Sequence, residues 1–361
     1  MMIEYSIYDV PQGFKLSCTK KGVFLEVKLL AAELISFINS AIVCLVLDKS
    51  TDTICLEILD KENDPFLIFH SFEYSPKKQG IPIEVWSLIQ ETMFNLIVYN
   101  DDNYPICEIQ VSKNNLINEF EGWLLSSDNR FKCLFEKIDF SNKLKTIFLD
   151  PVKSRTWDGN LINNKEYFKL EEYFDDGNHG YIHEYSIRNL LQTVFIPNKN
   201  LFWSPKKIDG TELTDFLIFA SNIVLIIESK YVVSSKSTNF NKAIVKGVKQ
   251  LRDTHKLIKS KQALTTNNEL NEMLQKVDVS IRICVFNDTS SYHIRKFKNV
   301  INTFDRTDLP IFVTSSFLGQ LLWFFRIKYQ EDEDADVQFF RYIINMYNDN
   351  RNKEIVIIDQ L

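Results

Sequence analysis

The aliphatic run Ile223-Val224-Leu225-Ile226-Ile227, closed by Glu228-Ser229-Lys230, constrains this chain more than any other segment. A continuous aliphatic run is the pattern of a strand buried on both faces. Upstream, Thr214-Asp215 leads into a second apolar run, Phe216-Leu217-Ile218-Phe219. Ala220-Ser221-Asn222 separates the two as a short turn, so the pair reads as a β-hairpin. Residues two apart on a strand share a face, which makes Glu228 and Lys230 neighbours in space. Buried charges are costly unless they are paired or coordinate a metal. Whatever fold accepts this hairpin must compensate three charges at one end of it.

Length sets the frame around that hairpin. A chain of 361 residues is enough for two domains with real cores, and a composition of 45% hydrophobic and 25% charged residues is that of a globular protein. No run approaches the ~20 apolar residues of a membrane span, and the first residues lack the basic start and apolar core of a signal peptide. The expectation is a cytoplasmic protein without a membrane partner. Cys18, Cys44, Cys55, Cys107, Cys133 and Cys284 show no CxxC or Cys/His clustering, so they are expected as reduced thiols and not as a zinc or disulfide framework. The net charge of −6 conceals an asymmetry: residues 1–150 carry about −8, residues 151–325 about +5 and residues 326–361 about −3. A basic middle between acidic flanks suits an anionic partner bound by the middle alone.

Residues 1–125 alternate strand-like runs with turn signals, as in 41–47 (AIVCLVL), 53–59 (TICLEIL), 65–72 (PFLIFHSF) and 105–111 (PICEIQV). Residues 83–97 have helical spacing and are predicted as one helix. This part is expected to form a mainly-β or α+β domain over residues 1–150. From about residue 181 the pattern becomes alternating helices and strands, the mark of an α/β fold. Helices are predicted over 183–195, 240–261, 292–304 and 317–325, and strands over 201–204, 279–286 and 310–314.

The order helix, strand, hairpin, helix, strand, with an acid opening the hairpin and Glu-x-Lys closing it, resembles the PD-(D/E)XK nuclease superfamily over about residues 180–290. Glu184 on the first helix, Asp215 and Glu228-x-Lys230 on the hairpin, and Gln250 on the following helix occupy the family's positions in order. Thr214 stands where the family name has proline. The resemblance implies a restriction-endonuclease-like core, a mixed central sheet flanked by helices, within a nuclease domain over residues 151–361. It implies phosphodiester hydrolysis with Mg²⁺, or Mn²⁺ in its place, held by Asp215, Glu228 and the carbonyl of Ser229. Lys230 would orient the attacking water, with Glu184 and Gln250 completing the catalytic set. A homo-oligomer and a role in restriction or anti-phage defence are further implications.

Physical chemistry points the same way. A hard divalent ion needs only one or two carboxylates plus water and phosphate oxygens, and it supplies both charge neutralisation and a nucleophile. Glu-x-Lys alone is a common same-face ion pair worth under ~1 kcal/mol. Its weight here comes from ending a wholly apolar strand beside Asp215. Between Lys230 and the end of the following helix lie Lys236, Lys242, Lys246, Lys249 and Arg252, a solvated face that next to a phosphate-cleaving site would serve as a backbone-binding track. The expected substrate is DNA ahead of RNA, with the acidic N-terminal domain as a regulatory or partner-binding module. The rival readings are an RNA-directed nuclease and a nucleic-acid-binding protein that keeps the fold without turnover.

Overall fold

The computed structural model describes residues 7, 10–40, 42–51, 53–59, 65–71, 81–101, 103–135, 168, 170–173, 175, 177–231, 237–287, 309–328, 335–352 and 357–358. The chain order is β1 (Gly13–Thr19), β2 (Gly22–Leu29), α1 (Ala31–Ser40), β3 (Ile42–Asp48), β4 (Thr53–Leu59), β5 (Pro65–Ser71), α2 (Ile83–Gln90), β6 (Met93–Asn100), β7 (Pro105–Ser112), α3 (Ile117–Leu125), β8 (Arg130–Leu134) and α4 (Leu170–Tyr173). It continues with α5 (His179–Gln192), β9 (Leu201–Trp203), β10 (Phe216–Ala220), β11 (Ile223–Lys230), α6 (Ser237–Lys259), α7 (Asn268–Lys276), β12 (Val279–Phe286), β13 (Ile311–Thr314), α8 (Ser315–Lys328), α9 (Ala335–Asn352) and β14 (Ile357–Ile358). The fold is mixed α/β, in two compact units: Met1–Lys153 with Glu166–Asp176, and Ser154–Lys165 with Gly177–Leu361. No described helix is long and apolar enough to cross a membrane. Among the cysteines, Cys18 is exposed, the other five are buried, and all are free thiols.

The first unit holds two four-stranded sheets, β1-β2-β6-β7 and β5-β4-β3-β8. The helix predicted over 83–97 is two elements. α2 ends where Glu91 turns extended, and β6 follows, paired with β2 and β7. Phe94, Leu96 and Val98 are buried. That alternation is a strand's, whereas Met93, Phe94, Leu96 and Ile97 also keep helical spacing, and pairing on both sides decided it. The helix α3 was not predicted; it buries Phe120 and Trp123, which stack at 5.6 Å.

The second unit is built on a six-stranded sheet ordered β14-β13-β12-β11-β10-β9. β10 pairs antiparallel with β9 and β11, whereas β11, β12 and β13 run parallel. Parallel pairing requires a crossover, which α6 and α7 supply. β11 is central, and residues Val224 to Ile227 are fully buried, as an aliphatic run with neighbours on both sides requires. One face of the sheet, with Leu217, Phe219, Val224, Ile226, Cys284 and Phe286, joins Ile244, Val248, Leu251 and Ile258 of α6 in one core cluster. Each such aliphatic side chain contributes ~1.5–3 kcal/mol of burial. Around β11 also pack α5, and α8 lies on β13 and α5. The hairpin turn places Ser221 at φ 55°, positive at the first central position, as type II′ turns require.

The predicted second-unit elements are present with ends shifted by a few residues, except that the helix predicted over 292–304 lies outside the described residues, as does Lys236. α7 was not predicted, although its cap was visible: Asn267 accepts a hydrogen bond from the amide of Leu270.

Candidate functional site

Register brings the ends of three strands together. Trp203 of β9 pairs with Phe216, Phe216 pairs with Ile227, and Lys230 pairs with Phe286 of β12. Asp215, just before β10, therefore lies at the same sheet edge as Glu228 and Lys230, outside the carboxyl ends of the parallel strands. That is where open α/β sheets bind ligands. The alternation of β11 then sorts the side chains. Glu228 and Lys230 share the face of Val224 and Ile226, towards α6, while Ser229 points to the opposite face, towards α5.

Lys230 sits among acids. Its Nζ donates to Glu228 Oε2 at 2.7 Å and to the carbonyl of Ser229 at 2.8 Å, and lies 3.7 Å from Asp215 Oδ2. Glu228 is 1% exposed, and its other oxygen accepts from Thr214 Oγ1 at 2.9 Å. The Thr214 hydroxyl is also 3.1 Å from the carbonyl of Ile227. A proline at 214 could do neither. Asp215 Oδ2 accepts from the amide of Ser229 at 2.5 Å. Above Lys230 runs α6. A Cβ on Gly247 would stand 3.1 Å from Cys284 Sγ and 3.4 Å from Cγ and Cε of Lys230, so a larger residue would need its neighbours to give way.

Two further acids complete the edge. Glu184, from α5, accepts from Trp203 Nε1 at 2.7 Å, and the guanidinium of Arg188 covers the Trp203 ring at 4.1 Å. Glu212 accepts from the Ser204 hydroxyl and lies 4.0 Å from Lys206. Ligand oxygens of Glu184, Glu212 and Asp215 all lie within 4.8 Å of one another. Asp215 is common to this grouping and to the expected metal set, whose other members, Glu228 and the Ser229 carbonyl, both accept from Lys230.

Carboxylates outnumber ammonium groups here, and protonation equilibria respond. Burial, then the charge of Glu228, raises Asp215 to about 7. Burial, then the charge of Asp215, raises Glu184 to about 7. Burial pulls Lys230 down, but Glu228 and Asp215 outweigh it, so its pKa is raised and the ammonium is retained. Burial, then Lys230, lowers His183 to about 3, leaving a neutral imidazole. An all-oxygen, over-acidic cluster with a held lysine can bind a hard cation and oppose negative charge on a substrate.

Lys242, Lys246 and Lys249 are exposed on α6 and Arg252 is half-buried. At about 100° per residue the three lysines form one outward stripe. Gln250 follows Gly247 by one turn, half-buried, with an Oε1 that has no hydrogen-bond partner. Sequence reasoning missed His183, Trp203, Glu212 and Thr214 as site residues. Glu212, three residues before Asp215, and His183, beside Glu184, had only proximity to signal them. Comparison with protein-family models, curated proteins and solved structures found no match.

Proposed function

We propose that the second unit is a metal-dependent nuclease of PD-(D/E)XK type, with a restriction-endonuclease-like core, that hydrolyses phosphodiester bonds in DNA ahead of RNA. The observation that carries this reading is Lys230, an ammonium held 2.7 Å from Glu228 and 3.7 Å from Asp215 at the carboxyl edge of a buried sheet. An ion pair serving stability alone needs one partner. The acids left over fit a cation: Glu184, Glu212 and Asp215 form an oxygen-only donor group suited to Mg²⁺, with Mn²⁺ as substitute. When bound, the cation would neutralise phosphate charge and generate a nucleophile at neutral pH.

The chain's own residues divide the remaining work. Glu228, fixed by Thr214, holds Lys230 charged and aimed at the edge, where it would orient the attacking water and stabilise developing phosphate charge. Gly247 lets α6 close over the lysine stem. Lys242, Lys246 and Lys249 would bind phosphates on either side of the cut, a contact that positions the strand without reading sequence. Gln250 is placed to orient the water or Lys230.

Plasmid DNA, linear DNA and RNA incubated with Mg²⁺ or Mn²⁺ test the reading. Wild type is expected to cleave DNA, and Lys230→Ala and Asp215→Ala to lose cleavage. Wild type and both variants equally active, or equally inert, would refute catalysis and leave a binding protein. For the first unit we propose a regulatory or partner-binding role, from the charge of about −8 on residues 1–150 against the basic region that follows. Limited proteolysis that separates the units tests the regulatory role: a changed cleavage rate supports it, an unchanged rate excludes it. Assembly as a homo-oligomer and a part in anti-phage defence rest on the family resemblance alone.

A further inference from the structure

Ser229 makes three polar connections, each to a different part of the site. Its amide donates to Asp215 Oδ2 at 2.5 Å, its carbonyl accepts from Lys230 Nζ at 2.8 Å, and its hydroxyl lies 3.0 Å from His183 Nδ1. The first two belong to the backbone, so the peptide around Ser229 fixes both the acid and the ammonium. The third comes from the other face of the sheet and from another element, α5. A hydroxyl both donates and accepts, so either neutral tautomer of His183 keeps the bond.

We infer that His183 is a positioning residue: it anchors Ser229 from α5 and thereby sets the spacing of Asp215, Lys230 and Glu184, a role that rests on the nuclease reading. His183 is 0% exposed, and its Nε2 is buried without a hydrogen-bond partner among the described residues. Tyr231 meets its ring edge-on at 5.8 Å. A buried nitrogen without a partner is unfavourable, and an apolar side chain would fill the same space without one. Packing therefore does not account for an imidazole here, whereas the bond to Ser229 does. His183 also precedes Glu184 on α5, so pinning one fixes the rotation that presents the other to Asp215. The side chain of Ser229 cannot reach the face of Lys230, so the anchor acts only through the backbone.

The test uses the full chain and side chains that mimic one ring nitrogen at a time. His183→Asn places its amide near Nδ1 and keeps the Ser229 bond; His183→Gln places it near Nε2 and loses the bond. Cleavage rate and Mn²⁺ affinity are read for both, for His183→Leu, for Ser229→Ala, and for the Leu/Ala double variant, with the thermal midpoint of each. Loss of an outer support typically lowers affinity or activity ~10–100-fold. That loss is expected for Gln, Leu and Ser229→Ala. Asn is expected to recover at least ~10-fold over Gln, and the double variant to be no worse than either single change. Equal losses for Asn and Gln, additive losses in the double variant, or no loss in any variant would overturn the role. If wild type cleaves nothing, the nuclease reading falls, and the same cycle in Mn²⁺ affinity still decides the positioning role.

Discussion

β3 and β11 have the same sequence design and opposite electrostatics. Each is an apolar strand, buried along most of its length, with a carboxylate at its carboxyl end: Asp48 closes β3, and Glu228 stands two residues before the end of β11. In the first unit, Asp48 at the end of β3 receives the amide and hydroxyl of Ser50 and the Nε of Arg130 at 2.7 Å, and the Ser50 hydroxyl with these partners lowers it to about 2. In the second unit, Asp215 beside the end of β11 receives one amide and shares one lysine with Glu228. Burial and that neighbouring charge raise it to about 7. Asp48 is a finished structural acid. The acids around Lys230 outnumber the one ammonium beside them, and that imbalance separates a candidate site from an ordinary strand end.

The comparison breaks first at Lys230. Lys230→Ala is expected to lower cleavage by ~10²–10³-fold, the scale for removing one preorganised charge-stabilising group. The same change leaves Glu228 buried without its cation, so denaturant unfolding should show a loss of about 3–5 kcal/mol. Cleavage that survives this substitution would remove Lys230 from the mechanism.

Gly247 comes next, because it joins core packing to the lysine. Gly247→Ala forces a Cβ against Cys284 and the stem of Lys230, an overpacking that costs about 1–3 kcal/mol and is offset by ~1 kcal/mol of alanine helix propensity. Cleavage should fall with it, since the contact displaces the reacting ammonium. A variant as stable and active as wild type would mean that α6 does not close over Lys230.

The pH dependence of stability should run in opposite directions for the two strand ends. Folded Asp215 and Glu184 keep protons to about 7, whereas unfolded carboxyls release them near ~4. Their contribution is present below the unfolded value and is lost as pH rises through the folded one. Asp48 contributes above ~4 and loses its contribution as pH falls towards about 2. Chemical denaturation in chelator at pH 5 and pH 8 checks this: Asp215→Asn with Glu184→Gln should flatten the decline, and Asp48→Asn should leave it unchanged. The smallest effect is expected on α6, where each of Lys242, Lys246 and Lys249 changed to Ala should reduce the slope of log affinity for DNA against log salt by about 0.9.

The hairpin and the face assignment of Glu228 and Lys230 were legible because strand alternation is a local property. So were the apolar stripe of α6 and the strands β12 and β13. What was not legible depended on distant pairing. Residues 83–97 fit a helix by spacing, and only the neighbours β2 and β7 made β6 of their second half. The cluster of Glu184, Glu212 and Asp215 shows the same limit. Asp215 was readable from the hairpin, but Glu212 lies in a loop and joins the cluster only because Ser204 and Asp215 meet across the β9–β10 pairing. Thr214 looked like a substitution for proline, and its hydroxyl bond to Glu228 emerges only once Glu228 is buried beside it.

Calorimetric titration of Mn²⁺ into the metal-free protein, with Asp215→Asn and Asp48→Asn alongside, tests the contrast most directly. Wild type and Asp48→Asn should bind with the same affinity, and Asp215→Asn should bind at least ~10-fold more weakly. Equal affinity for Asp215→Asn and wild type, or no binding by wild type, would contradict the claim that the acids around Lys230 are arranged for a cation.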